Sequence, residues 1–167
     1  GQGIANAVGM ALAERHLRSR LGQELINHRI WAICGDGDLM EGISHEAASL
    51  AGHQQLGNLV VVYDDNRITI DGGTDLTLSD DAQRRFEAYG WHVNNLGEAA
   101  EDVVALESAL TEAAEQIDRP SLIIVRSHIA FPAPNAVDTP AAHGAITDDA
   151  EIAAAKEIMG FDPDRKS

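Results

Sequence analysis

Residues 32–42 read AICGDGDLMEG, so two acidic residues and two glycines follow directly on an apolar run; Asp64, Asp65 and Asn66 close a second apolar run about thirty residues later. Aspartate and amide oxygens are hard donors. They suit Mg2+, which takes few protein oxygens and completes its octahedron with phosphate oxygens and water. Asp36 and Asn66 are separated by about the length of one strand–helix–strand unit, so adjacent parallel strands can present both to one ion. Gly35 is expected to permit a tight turn, and Gly37 to bring its bare N–H to a phosphate near the N-terminus of the next helix. The combination reads as a metal-bridged diphosphate cradle. GDG alone is an ordinary turn; the Asn at the right offset and the two strand contexts give the motif its specificity.

These residues need a scaffold that sets two strand ends side by side. IWAIC (30–34), LVVVY (59–63) and SLIIVRS (121–127) are apolar runs of the kind buried parallel strands show, and 91–96 is a weaker strand candidate. Helical spacing is expected over 4–21, 41–54, 81–89, 101–117 and 150–159. The first half of the first helix has its charges only after Glu14, so it is expected to be buried on all sides. Strands alternating with helices predict an α/β fold, a doubly wound parallel sheet with helices on both faces, in which ligands bind beyond the carboxyl ends of the strands. The Pro-rich stretch 130–149 lacks periodicity and reads as a long, functional loop. After the last helix comes a charged tail.

The chain of 167 residues has 12 basic against 27 acidic residues and a net charge of −15, which argues against nucleic acid or an anionic membrane as partners. A phosphate site must therefore be local. The single Cys34 excludes an internal disulfide framework and fits a reducing, cytoplasmic setting. No signal peptide or membrane span is visible. The start on Gly-Gln-Gly, without an initiator Met, is expected of a fragment.

GDGDLMEGISHEAASLAG and YDDNRITIDG resemble the transketolase form of the thiamine-diphosphate signature, and GQGIANAVGMA and FPAPN…HG agree in order and spacing. The resemblance covers nearly the whole chain and implies a thiamine-diphosphate-binding fold. Residues 1–167 would be the later part of the amino-terminal, diphosphate-binding domain, with the pyrimidine-binding and carboxy-terminal domains absent. It implies Mg2+ and thiamine diphosphate as cofactors, with Asp36, Asn66 and the carbonyl of Ile68 on the metal and Gly37 at the diphosphate. Sugar phosphates are the implied substrates. A homodimer, or a partner chain, would supply the pyrimidine domain, and Glu41 would lie at that subunit interface with a catalytic role, linked to the cofactor-activating glutamate that the other chain's pyrimidine domain contributes.

Seven histidines are present. His16 and His28 read as surface residues, His45 and His53 as packing residues of one helix, and His92 has no evident partner. His143 lies in the Pro-rich loop and matches the family histidine near the reacting carbon of the donor sugar, where it would polarise a ketose carbonyl or bind hydroxyls. The family's second histidine falls at Pro140. His128 stands where an aliphatic residue is expected and reads as a packing substitution in preference to a local change in the cofactor pocket. Two rivals stay open: another thiamine-diphosphate enzyme, against which EGISHEA and YDDNRITIDG argue, and a non-catalytic or split half-subunit acting as a structural partner.

Overall fold

The computed structural model describes residues 1–164, so the last three residues of the charged tail lie outside the described residues. The chain divides into two compact units, one comprising Gly1–Asp65 with Ser79–Ser127, the other Asn66–Leu78 with the segment from His128 onward.

In the first unit, α1 (Gln2–Leu21) buries Ile4, Ala7, Val8, Ala11 and Glu14, a stripe at i, i+3 and i+4 spacing. Burial on all sides is not what this chain shows. Gly9 and Met10 are exposed, because the helix meets α3 (Gly42–His53) and β1 (Ile30–Gly35) along that stripe alone. Glu14 enters the core with a partner: Asn58 Nδ2 donates to Glu14 Oε2 at 2.6 Å and to the Ala11 carbonyl at 3.0 Å. Burying a carboxylate is costly unless hydrogen bonds compensate it, and this pair ties α1 to the turn before β2 (Leu59–Asp65).

The expected helix over 41–54 is present, and a short helix that was not expected precedes it. Asp38 Oδ2 accepts the Gly35 N–H at 3.1 Å, which closes a turn at once and starts the five-residue α2 (Asp36–Met40). Glu41 then adopts an extended backbone (φ −77°, ψ 134°) and separates α2 from α3. The remaining elements of this unit, α4 (Ala82–Ala88), β5 (His92–Asn95), α5 (Val103–Glu115) and β6 (Ser121–Arg126), fall within a few residues of expectation.

All four strands are parallel, in the order β1-β2-β6-β5. One face of the sheet carries Cys34, Leu59, Val61, Tyr63 and Leu122 and packs on α1, α3 and α4; the other carries Val60, Ile123 and Val125 and packs on Ala109 and Ala113 of α5. The sheet is doubly wound. Trp91 anchors one side, donating Nε1–H to the Ala48 carbonyl at 2.8 Å and meeting Phe86 edge-on at 5.0 Å. At the free edge β1 leaves Trp31 47% and Ile33 80% exposed.

In the second unit, β3 (Ile68–Thr69) and β4 (Gly72–Gly73) form a small antiparallel hairpin that was not expected from the sequence. The Pro-rich loop contains one 3-10 turn, Pro140–His143, and leads into α6 (Asp149–Ile158). Asp148 caps α6 by accepting the Ala150 N–H at 2.9 Å. No helix among the described residues is long and apolar enough to cross a membrane.

Candidate functional site

β1 and β2 run parallel with Gly35 opposite Asp64, so their carboxyl ends are level. Asp36 is the next residue after β1. It is 3% exposed, and its Oδ1 accepts the Tyr63 O–H at 2.7 Å. Burial, and then the neighbouring Asp36 carboxylate, push the Tyr63 phenol well above its ordinary range, so it stays a neutral donor. The same hydroxyl lies 3.5 Å from Asp65 Oδ1. Tyr63 was read only as the end of an apolar strand. The signal that could have found it was a phenol where the strand approaches the polar Asp64-Asp65-Asn66 cluster.

Gly37 is exposed in α2, and a Cβ there would meet no atom within 4 Å, so its main chain is open to a ligand. Gly35 differs from expectation. Its φ of −107° and ψ of −174° are extended backbone open to any residue, so the turn does not require glycine's conformational freedom. Glu41 lies between α2 and α3 with its side chain 62% exposed; Oε2 lies 3.1 Å from the Gly1 amino group, and its carbonyl accepts the Ser44 N–H.

The second unit brings three expected site residues together. Asn66, 8% exposed, accepts the Ile68 N–H on Oδ1 at 2.9 Å, and the Ile68 carbonyl lies 3.3 Å from His143 Nε2. Arg67 between them has φ +63°, a left-handed conformation that turns the chain tightly, and its carbonyl accepts the Thr74 N–H at 3.0 Å. His143 is exposed at the end of its 3-10 turn. A carboxylate, an amide oxygen and a main-chain carbonyl are each hard donors of the kind Mg2+ takes. Among the described residues no cluster of three His, Cys, Asp or Glu side chains is fit for a metal.

The other histidines sort unevenly. His16 and His28 are exposed as expected. His45 packs in the first unit against Arg85 Nη1, at 3.2 Å from Nδ1, whereas His53 is exposed and does not serve the packing role expected of it. His92 gains partners: Glu112 Oε1 at 3.3 Å and Ser121 Oγ at 3.4 Å. His128 is not an aliphatic stand-in. It is exposed, with Nδ1 2.8 Å from Asp138 Oδ2.

The family model described as transketolase, thiamine diphosphate binding domain, matches residues 1–167. The chain belongs to the transketolase family. It is 48% identical over 171 residues to the transketolase of Mycobacterium tuberculosis, an alignment covering 99% of this chain and 24% of the relative. Transketolase 1 of Escherichia coli is 47% identical, with 96% of this chain and 25% of the relative covered. Among solved structures, transketolase from Campylobacter jejuni superposes with a TM-score of 0.94 at 42% identity, over 99% of this chain and 26% of that one. Transketolase from Leishmania mexicana gives 0.94 at 40% identity, covering 99% and 25%. The chain thus spans about a quarter of the length of the relatives it matches.

Proposed function

We propose that this chain is the diphosphate-anchoring part of a transketolase that moves two-carbon ketol units from ketose phosphates to aldose phosphates, using Mg2+ and thiamine diphosphate. The observation that carries the reading is the buried Asp36, held by Tyr63 at the end of β1 level with the end of β2, in a chain that matches the family's cofactor domain throughout. Asp36, Asn66 and the Ile68 carbonyl hold the cation, and the exposed main chain at Gly37 meets the diphosphate. When bound, thiamine diphosphate supplies the electron sink that lets the carbon–carbon bond beside a ketose carbonyl break and re-form. This chain's residues bind and orient. His143 donates a hydrogen bond to the donor carbonyl or its hydroxyls, and Glu41 faces the subunit interface. The remaining walls of the site come from the rest of the protein, as a homodimer or as a partner chain with the pyrimidine domain, in the cytoplasm.

Calorimetric titration of thiamine diphosphate with Mg2+ into the intact gene product tests the reading. Asp36→Ala is expected to abolish metal-dependent cofactor binding while the circular dichroism spectrum is unchanged, and unchanged affinity overturns the cradle. His143→Ala is expected to lower kcat/KM for ketose donors and leave cofactor affinity alone. A non-catalytic structural partner is the second reading; it gains if the intact gene product binds cofactor without turnover.

A further inference from the structure

The 3-10 turn that carries His143 buries none of its residues, and its two central residues are the small Ala141 and Ala142. A turn without an apolar anchor depends on hydrogen bonds for its position. Those bonds lead to one carboxylate. Glu151, 6% exposed in the first turn of α6, accepts the Asn135 N–H at 2.6 Å and the Ala136 N–H at 2.9 Å on Oε1, and Asn135 Nδ2–H at 2.8 Å on Oε2. The carbonyl of Ala136 in turn accepts Thr139 Oγ1–H at 2.7 Å and the Thr139 N–H at 3.3 Å. Thr139 is the residue before the turn, and its carbonyl accepts the Ala142 N–H at 3.1 Å. An unbroken relay therefore runs from Glu151 through Ala136 and Thr139 to the residue beside His143.

We infer that Glu151 is a positioning residue for His143, fixing through Asn135, Ala136 and Thr139 where the imidazole meets the donor sugar. The inference rests on the donor-binding reading of His143 given above. The three donors also hold the Glu151 carboxyl below the ordinary carboxylate range, the Asn135 side chain contributing most, so it is ionised and accepts all three bonds at neutral pH. Asn135 and Ala136 both offer main-chain N–H groups to the one Glu151 oxygen, so the carboxylate fixes the backbone itself at this point of the loop. Neither Asn135 nor Glu151 carries a role in the proposed chemistry itself.

The test is a double-mutant cycle in the intact gene product with xylulose 5-phosphate as donor. Misplacing a contact group by about 1 Å costs on the order of a hundredfold. Glu151→Ala is therefore expected to lower donor kcat/KM about 10- to 100-fold, with thiamine diphosphate affinity by calorimetry held within about twofold. Glu151→Gln keeps one acceptor oxygen for the two main-chain N–H groups and is expected to fall between the two; it serves if the Ala variant does not fold. The deciding result is non-additivity: with His143→Ala already present, Glu151→Ala should cost little more. Additive losses, or cofactor affinity falling in step with turnover, overturn the inference in favour of a general loss of fold. If His143→Ala impairs donor use and both Glu151 variants do not, the inference alone fails. Normal donor kinetics in His143→Ala overturn the donor reading, and the inference with it.

Discussion

Tyr63 and Asp36 share one hydrogen bond of 2.7 Å across the ends of two parallel strands, and both side chains are buried. The bond fixes the direction of the carboxylate before any ligand arrives. A hydrogen bond to a charged group contributes about 1.5–3 kcal/mol and, more usefully here, selects one orientation among several.

Removing that bond is expected to weaken the cradle without opening the fold. Tyr63→Phe keeps the ring in the core and should reduce Mg2+-dependent thiamine diphosphate affinity about 10- to 100-fold, the usual cost of losing a group that orients a ligand side chain. Calorimetry on the intact gene product measures it. Wild-type affinity would reduce Tyr63 to packing.

The helix glycines give a contrast in stability. A Cβ at Gly52 of α3 would stand 1.8 Å from the Tyr89 carbonyl oxygen, and main chain yields poorly. Gly52→Ala is expected to destabilise by about 3 kcal/mol, the upper end of ordinary overpacking, read from urea unfolding. Gly9 of α1 is exposed with open space around it, so Gly9→Ala should stabilise by up to about 1 kcal/mol through helix propensity.

Cys34 gives the pH-dependent case. Burial, with Asp38 nearby, pushes its thiol up to about 12 from 9.0, so the folded chain holds the neutral form. Because the folded value is the higher one, its contribution to stability is complete below the unfolded value and is lost as pH rises between the two. At pH 8 the folded thiol should react with an alkylating reagent roughly a thousandfold more slowly than in urea, given the thiolate fractions. Equal rates would show Cys34 to be accessible.

Much of this architecture was legible from residues 30–34, 59–63 and 121–127, because a strand covered on both faces must be apolar throughout. The two strand ends that Asp36 and Asn66 follow were legible because a βαβ unit has a limited length. What escaped notice depended on side-chain partners distant in sequence. The Asp38–Gly35 contact starts a separate short α2 ahead of the expected helix, and Glu41, a good helix former, is held extended between the two. The β3–β4 hairpin has two-residue strands, too short for any alternation to register. His128 pairs with Asp138, ten residues away in a loop without periodicity, and Glu151 was hidden among acidic residues that cap a helix. Periodicity reports which face is apolar; it does not report which carboxylate a loop will choose.

The two tryptophans occupy opposite circumstances, Trp91 2% exposed in the core and Trp31 47% exposed on the free edge of the sheet. Their fluorescence is accordingly separable. Iodide is expected to quench the emission of Trp31 and spare Trp91, so the quenchable fraction would read the solvation of the β1 edge and the protected fraction the integrity of the core. One quenching series would thus follow the sheet edge and the core at once, with no added label.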